Sequence, residues 1–213
     1  IDDCASGGRR VDLETCSRAL VLWRSDNTCD MVGDSPDSIL KAAIENQLMS
    51  AGLNRYLPMS IVGQMGSEPY FFRSGFNGGI AFAQDIRKPD YPREQLRQAI
   101  AEGKRIRKYW LGDFYALSAA TTNPQDWCVL QYHRPEQGDG MVLAFRRHRS
   151  PYSGYDCELR AIDPNATYAV TVCHTYEPEA EVTLRGADLQ HINLGIRECP
   201  GSVLIEYRRT GGG

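Results

Sequence analysis

The chain has 213 residues, enough to bury a substantial core as one large domain or two modest ones. Hydrophobic residues make up 42% and charged residues 24%; the formal net charge is −3 with no long basic run, which argues against a nucleic-acid partner. No apolar run approaches the roughly 18 residues needed to span a bilayer, so no membrane segment is expected.

The sequence begins at Ile1, without a methionine, a charged lead or a signal-like apolar core, and ends in TGGG. It reads as a piece of a longer chain with a flexible tail at 211–213. Residues 2–10, DDCASGGRR, set a thiol, a hydroxyl and two glycines beside an acidic and a basic pair. Val11, Leu13, Cys16, Ala19 and Leu20 then suit one face of a helix. ALVLW reads as a short buried strand ending at Trp23. SPDSILKAAIENQLMSAG is the clearest helix, capped by Ser35, with Pro36 in its first turn and Gly52 at its stop. Its apolar stripe is Ile39, Leu40, Ala43, Ile44 and Leu48. YLPMSIV and GGIAFAQDI read as further strands, and YPREQLRQAIAEGKRIRKYWLG as a helix with a solvated basic face. Alternation of strand, loop and helix is the rhythm of βα units. A complete (β/α)₈ barrel takes about 250 residues, and this part has about half of that.

Composition changes near residue 120. WCVLQYH, GMVLAFRR, YDCELRAI, TYAVTVC, AEVTLRG and SVLIEYRR follow as short strands, separated by PEQGDG, SPYSGY, DPNA, EPEA and CPGS. Such a series indicates an antiparallel β-sandwich. The fold class expected is α/β over 1–122, followed by a sandwich domain over 123–210. The seven cysteines are irregularly spaced and form no CxxC pair. That offers no zinc pattern and suits reduced thiols in a cytoplasmic protein.

Asp26, isolated beside Trp23 in LWRSDNTCD, is the candidate acid: a carboxylate at the end of a strand, partly desolvated by a ring, can donate a proton near neutral pH. Its plain alternative is a helix cap, a role that Asp26 and Asn27 both suit. The glycines of CASGG let backbone N–H groups approach a ligand, or make a tight turn. Cys4 lacks a histidine in the α/β part to activate it as a nucleophile, because all four histidines lie in the second half. RSGFNGG (73–79) reads as a pocket loop or a turn, the aromatics of WLGDFY (110–115) as a seam between domains, and AFRRHR as a solvated strand face.

The stretch DDCASGGRRVDLETCSRALVLWRSDNTCD resembles glycoside hydrolase family 36, the melibiase-type α-galactosidases. That family carries a C-x-S-G-G-x-R-x-D-like run and, a little later, an aromatic followed closely by Ser-Asp. GLNRYLPMSIVGQMG, YFFRSGFNGG, GDFYALS, WCVLQYHRPEQGDGMVLAFRR and LRAIDPNATYAVT resemble the family in the same order, so the likeness covers nearly the whole chain. It implies the C-terminal half of a (β/α)₈ barrel followed by a β-sandwich. It also implies retaining hydrolysis of terminal α-galactosides, with two carboxyls about 5–5.5 Å apart. Asp26 takes the acid/base role by motif match; Cys4 and Gly7 match the loop that contacts the sugar, and Trp23 is a supporting wall. The nucleophile, an aspartate in a Lys-x-Asp-like motif, matches nothing in this chain, and Asp2 and Asp3 are not assigned to it. Many members read Ser-Asp-x-x-Asp; here Cys29 precedes the second acid, so Asp30 receives no role. The resemblance implies an α-galactoside oligosaccharide as partner, no metal or organic cofactor, and a parent that can be a homo-oligomer. A galactosyl transferase of the raffinose-synthase type and a non-catalytic carbohydrate-binding fragment are the alternatives.

Overall fold

The structure is a computed structural model, and it describes residues 2–4, 12–18, 21–26, 35–64, 66–79, 81–82 and 84–211. The chain gathers into two compact units, Ile1–Arg107 and Lys108–Gly213. Residues 108–122, which composition groups with the first segment, fall in the second unit, where 113–116 pairs with 127–134 of the large sheet.

In the first unit every strand pairing among the described residues is parallel. The strands β1 (Asp2–Cys4), β2 (Val21–Trp23) and β3 (Ser60–Ile61) lie in the order β1-β2-β3. A second pair joins β4 (Gly63–Gln64) to β5 (Ala81–Phe82). Parallel neighbours require a crossover, and each crossover here contains a helix. These are α1 (Leu13–Arg18), α2 (Pro36–Leu53) and α3 (Pro69–Gly75); α4 (Arg93–Ile106) follows β5. Asp12 caps α1, its Oδ1 accepting the Thr15 amide at 2.8 Å. Leu13 is 85% exposed, so the apolar face expected for this helix is not buried at that position.

The second helix starts as its sequence indicates, with Ser35 Oγ accepting the Ser38 amide at 3.2 Å and Pro36 in the first turn. It does not stop at Gly52. It continues to Leu53, where the Asn54 amide donates to Ser50 O at 3.2 Å. Its buried face also differs from the expected stripe. Ala43 and Ile44 are buried, but so are Asn46, Gln47 and Ser50, whereas Ile39, Leu40 and Leu48 are half-buried. Polar side chains tolerate that position because partners await them; Gln47 Nε2, for example, donates to Ser74 Oγ at 2.9 Å.

Sequence periodicity missed α3, a helix of seven residues. It is tied to α4 by a buried bidentate ion pair. Arg73 Nε donates to Glu102 Oε1 at 2.8 Å and Nη2 to Oε2 at 2.7 Å, with the side chains 0% and 1% exposed. Gly78 has φ of +87°, which a residue with a Cβ rarely adopts, and it bridges Ser60 in the turn before β5.

The second unit is built on an antiparallel sheet in the order β11-β10-β13-β8-β7-β6. Its strands are β6 (Asp113–Ala116), β7 (Trp127–Arg134), β8 (Asp139–Arg146), β10 (Thr167–Cys173), β11 (Val182–Arg185) and β13 (Gly201–Gly211). A two-stranded ribbon of β9 (Gly154–Glu158) and β12 (His191–Gly195), with the short helix α5 (Gly186–Gln190), completes it. Trp127, Val142, Leu159, Val170, Leu189, Leu194 and Ile205 share one core, which joins the large sheet to the ribbon and helix. Each fully buried side chain of this size contributes about 1.5–3 kcal/mol. Along β7 and β8, residues on both faces are buried, so burial does not alternate as in a half-solvated strand. Trp110 and Phe114 both pack on Tyr132 with ring centroids 5.1 Å apart, which places these aromatics within the second unit.

The AFRRHR run is not a solvated face. Arg147 is buried and donates from Nη1 to the carbonyls of Thr121 and Asn123, each at 2.9 Å. Arg146 donates to the carbonyls of Arg197 at 2.8 Å and of Ile196 and Ser150 at 3.1 Å. Among the described residues, no helix is long and apolar enough to cross a membrane.

A polar chain crosses this unit's core. Gln131 Nε2 donates to Tyr207 Oη at 2.9 Å, which leaves the tyrosine hydrogen for His133 Nδ1 at 3.1 Å. That geometry fits a neutral imidazole, and burial pushes His133 below its ordinary value of 6.5 against the pull of Asp113, Asp139 and Glu136. An unfolded chain then takes up a proton near pH 6.5 that the fold refuses. This group's contribution is therefore complete above that pH and is lost as pH falls below it. Thermal midpoints measured between pH 7.5 and 5.5 should decline with acidification, and His133→Phe should flatten that decline.

Candidate active site

The carboxyl ends of β1, β2 and β3 form one edge. Cys4, the last residue of β1, stands in register with Trp23, the last residue of β2, and Trp23 in register with Ile61 of β3. Parallel strands make such an edge rigid while the chain beyond it is free to vary, which suits placement of reactive groups. Gly7 lies outside the described residues, and only the backbone of Cys4 is described.

Trp23 and Asp26 are brought together. The indole Nε1 donates to Asp26 Oδ1 at 2.7 Å, and the carboxylate is exposed. The expected wall is thus a hydrogen-bond donor, meeting the carboxylate through its N–H edge. An indole nitrogen can only donate. Oδ1 is therefore held as an acceptor, and a proton carried by Asp26 belongs on Oδ2. The cap of α2 is Ser35, and the residues that directly follow Asp26, 27–34, lie outside the described residues.

Behind this edge lies a polar cluster that the sequence reading did not single out. Arg24 is buried between Trp23 and Asp26. Its amide donates to Ile61 O at 3.1 Å, extending the β2–β3 ladder by one step. Its Nη1 donates to Ser50 Oγ at 2.9 Å and Ser60 Oγ at 3.4 Å, and its Nη2 to Asn46 O at 3.3 Å. Ser60 Oγ also accepts from Asn77 Nδ2 at 2.9 Å. Asn77 and Asn54 exchange amide hydrogen bonds at 2.7 and 2.9 Å. Asn46 and Ser50 of α2 and Asn54 at its carboxyl cap recur every fourth residue, and that polar stripe was the available signal. The RSGFNGG segment contributes to the same cluster through Asn77, whereas its Arg73 is committed to Glu102.

Other reactive groups are poorly placed for chemistry. Burial pushes the thiols of Cys128 and Cys157 up to about 11, far from the thiolate form at neutral pH. Among the described residues no group of three or more His, Cys, Asp or Glu side chains could hold a metal ion.

No protein-family model matches the chain, and no curated protein matches it either. Solved structures do. The chain superimposes on a glycoside hydrolase family 36 α-galactosidase, AgaA of Geobacillus stearothermophilus, solved as one variant with raffinose and as another with stachyose. The TM-scores are 0.71 and 0.73, at 17% and 16% identity. It also matches the α-galactosidase of Lactobacillus brevis, with a TM-score of 0.72 at 17% identity. In each case 98% of this chain is covered, but only 28% of the other. The chain therefore spans a little over a quarter of the length of these enzymes and shares their fold over that stretch.

The described thiols should separate by reactivity. At pH 8 an alkylating reagent should label exposed Cys199 well before Cys128 or Cys157, read by peptide mass spectrometry. Equal labelling of the three in the folded chain would contradict the burial described.

Proposed function

We propose that this chain is the acid/base-bearing part of a retaining α-galactosidase. The observation that carries the reading is the Trp23–Asp26 hydrogen bond at the carboxyl edge of parallel strands, in a chain whose fold matches α-galactosidases over 98% of its length. The α/β segment is read as the C-terminal half of a (β/α)₈ barrel, and the antiparallel segment as the β-sandwich that follows it. Raffinose and stachyose, held by the Geobacillus enzyme, indicate the substrate class: oligosaccharides ending in an α-linked galactose.

In the first half-reaction a carboxylate supplied by the longer protein attacks the anomeric carbon. The bond to the leaving oxygen breaks, and Asp26 delivers the proton from Oδ2 to that oxygen. In the second, Asp26 as carboxylate takes a proton from water while the water oxygen displaces the enzyme ester. Trp23 holds the other oxygen throughout, so that a single oxygen of Asp26 both gives and receives the proton. Cys4 and Gly7 are assigned to the sugar-contacting loop, with the thiol shaping the site and not attacking. No cofactor enters these steps. The described chain supplies one carboxyl of the two, so alone it should not turn over even an activated aryl α-galactoside.

The test is Asp26→Asn in the full-length protein, assayed on a galactoside with a poor alkyl leaving group and on one with a good aryl leaving group. General acid catalysis contributes about 10²–10⁴-fold. The value of kcat/KM should fall by about that factor for the alkyl substrate and only slightly for the aryl one, which departs without a proton. Equal losses on both would remove Asp26 from the acid role.

A further inference from the structure

Two residues lie between the site side chains, and the first of them, Arg24, is an arginine buried in the protein. Leu22 of β2 and Arg24 directly after it are buried, whereas Trp23 between them is half-buried and reaches Asp26. A guanidinium removed from water is tolerated only where oxygens meet it at fixed positions. Oxygens that meet it include those of Asn46 and Ser50 of α2 and of Ser60 of β3. Ser60 is in turn held by Asn77 through both its hydroxyl and its amide, the latter donating to Asn77 O at 3.1 Å. Asn77 is clamped to Asn54 at the carboxyl end of α2.

We infer that Arg24 is a positioning residue for Asp26, and that Asn46, Ser50, Ser60 and Asn77 form the frame on which it acts. The inference rests on the acid/base reading of Asp26. Arg24 fixes the last backbone step of β2 in two ways. Its amide extends the ladder to Ile61, and its side chain locks the same residue to α2. Asp26 lies two residues beyond, and its neighbour Ser25 is also buried. The carboxylate can therefore be exposed and still fixed in direction, gripped at Oδ1 by Trp23 and held through the backbone by Arg24. Lysine keeps the charge at position 24 but presents a single ammonium in place of the planar fork, so it cannot reach α2 and β3 with the same geometry. The expected consequence is a displaced proton donor, with less effect on sugar binding.

The experiment uses the full-length protein, with wild type and three variants measured side by side: Asp26→Asn, Arg24→Lys and Ser60→Ala. Each is assayed on the alkyl and aryl galactosides, with a thermal midpoint recorded for each. A misplacement of about 1 Å can cost about 100-fold. Arg24→Lys should therefore lower kcat/KM by about 100-fold for the alkyl substrate and by at most a few-fold for the aryl one. Ser60→Ala removes one acceptor and should show the same asymmetry, weakened to about threefold to tenfold. If Asp26→Asn shows the asymmetry and neither frame variant does, the positioning role is overturned and the acid/base reading stands. If Asp26→Asn itself lacks the asymmetry, both are overturned. If both frame variants lose activity equally on the two substrates in step with a lowered midpoint, or fail to fold, the cluster only holds the fold together and the inference is wrong.

Discussion

A buried guanidinium cannot drift. Its hydrogens need oxygens within about 3 Å, and leaving such a charge uncompensated costs several kcal/mol. In this chain Arg24 imposes that constraint where β2 ends. Two consequences meet there: α2 is tied to the edge of the sheet through Asn46 and Ser50, and the strand cannot fray before Asp26. Trp23 then acts on a backbone already held, and its indole needs to choose only a direction for the carboxylate. Precision of this kind separates a reactive group from a merely acidic loop, because proton transfer depends steeply on position.

The two units solve the same problem of buried polarity with different groups. In the first, charge is involved: Arg24 with oxygens of Asn46, Ser50 and Ser60, and Arg73 with Glu102 as a bidentate pair. In the second, the chain from Gln131 through Tyr207 to His133 is neutral, and the tyrosine hydroxyl lies well above its ordinary value because it is buried. Gln131 also closes a loop, donating to Arg160 O and accepting the Arg160 amide, both at 2.8 Å. Each network links strands or helices distant in sequence, so each contributes to selecting a single arrangement of an otherwise apolar core.

Legibility in the sequence followed the range of the interaction. The start of α2 was readable because Ser35 and Pro36 act within one turn of themselves. Its end was not, because Gly52 is tolerated inside the helix and the last turn closes on Asn54. Six strands of the second unit were visible as apolar runs between turns. HINLG was missed, since it is a strand only by virtue of pairing with β9. AFRRHR looked solvated because its carbonyl partners, at Thr121, Asn123 and Ile196, lie elsewhere in the chain. The candidate site shows the same split. Asp26 and Trp23 were named from a local motif, whereas Arg24 sits in that very motif and carried no local sign that it turns inward. What could have marked it is the polar stripe of Asn46, Ser50 and Asn54 facing the sheet.

The proposed base role of Asp26 is exercised after the sugar has been transferred to the enzyme. Azide, a small nucleophile that needs no deprotonation, can enter the space left when Asp26 is replaced by Ala in the full-length protein acting on an activated aryl α-galactoside. The measurement is the anomeric configuration of the sugar azide formed, read by proton NMR. With Asp26 as the base, azide should speed turnover and give an α-galactosyl azide, formed on the face that water and Asp26 share. A β-galactosyl azide would make Asp26 the nucleophile instead, and no azide product with unaltered turnover would remove it from the chemistry altogether.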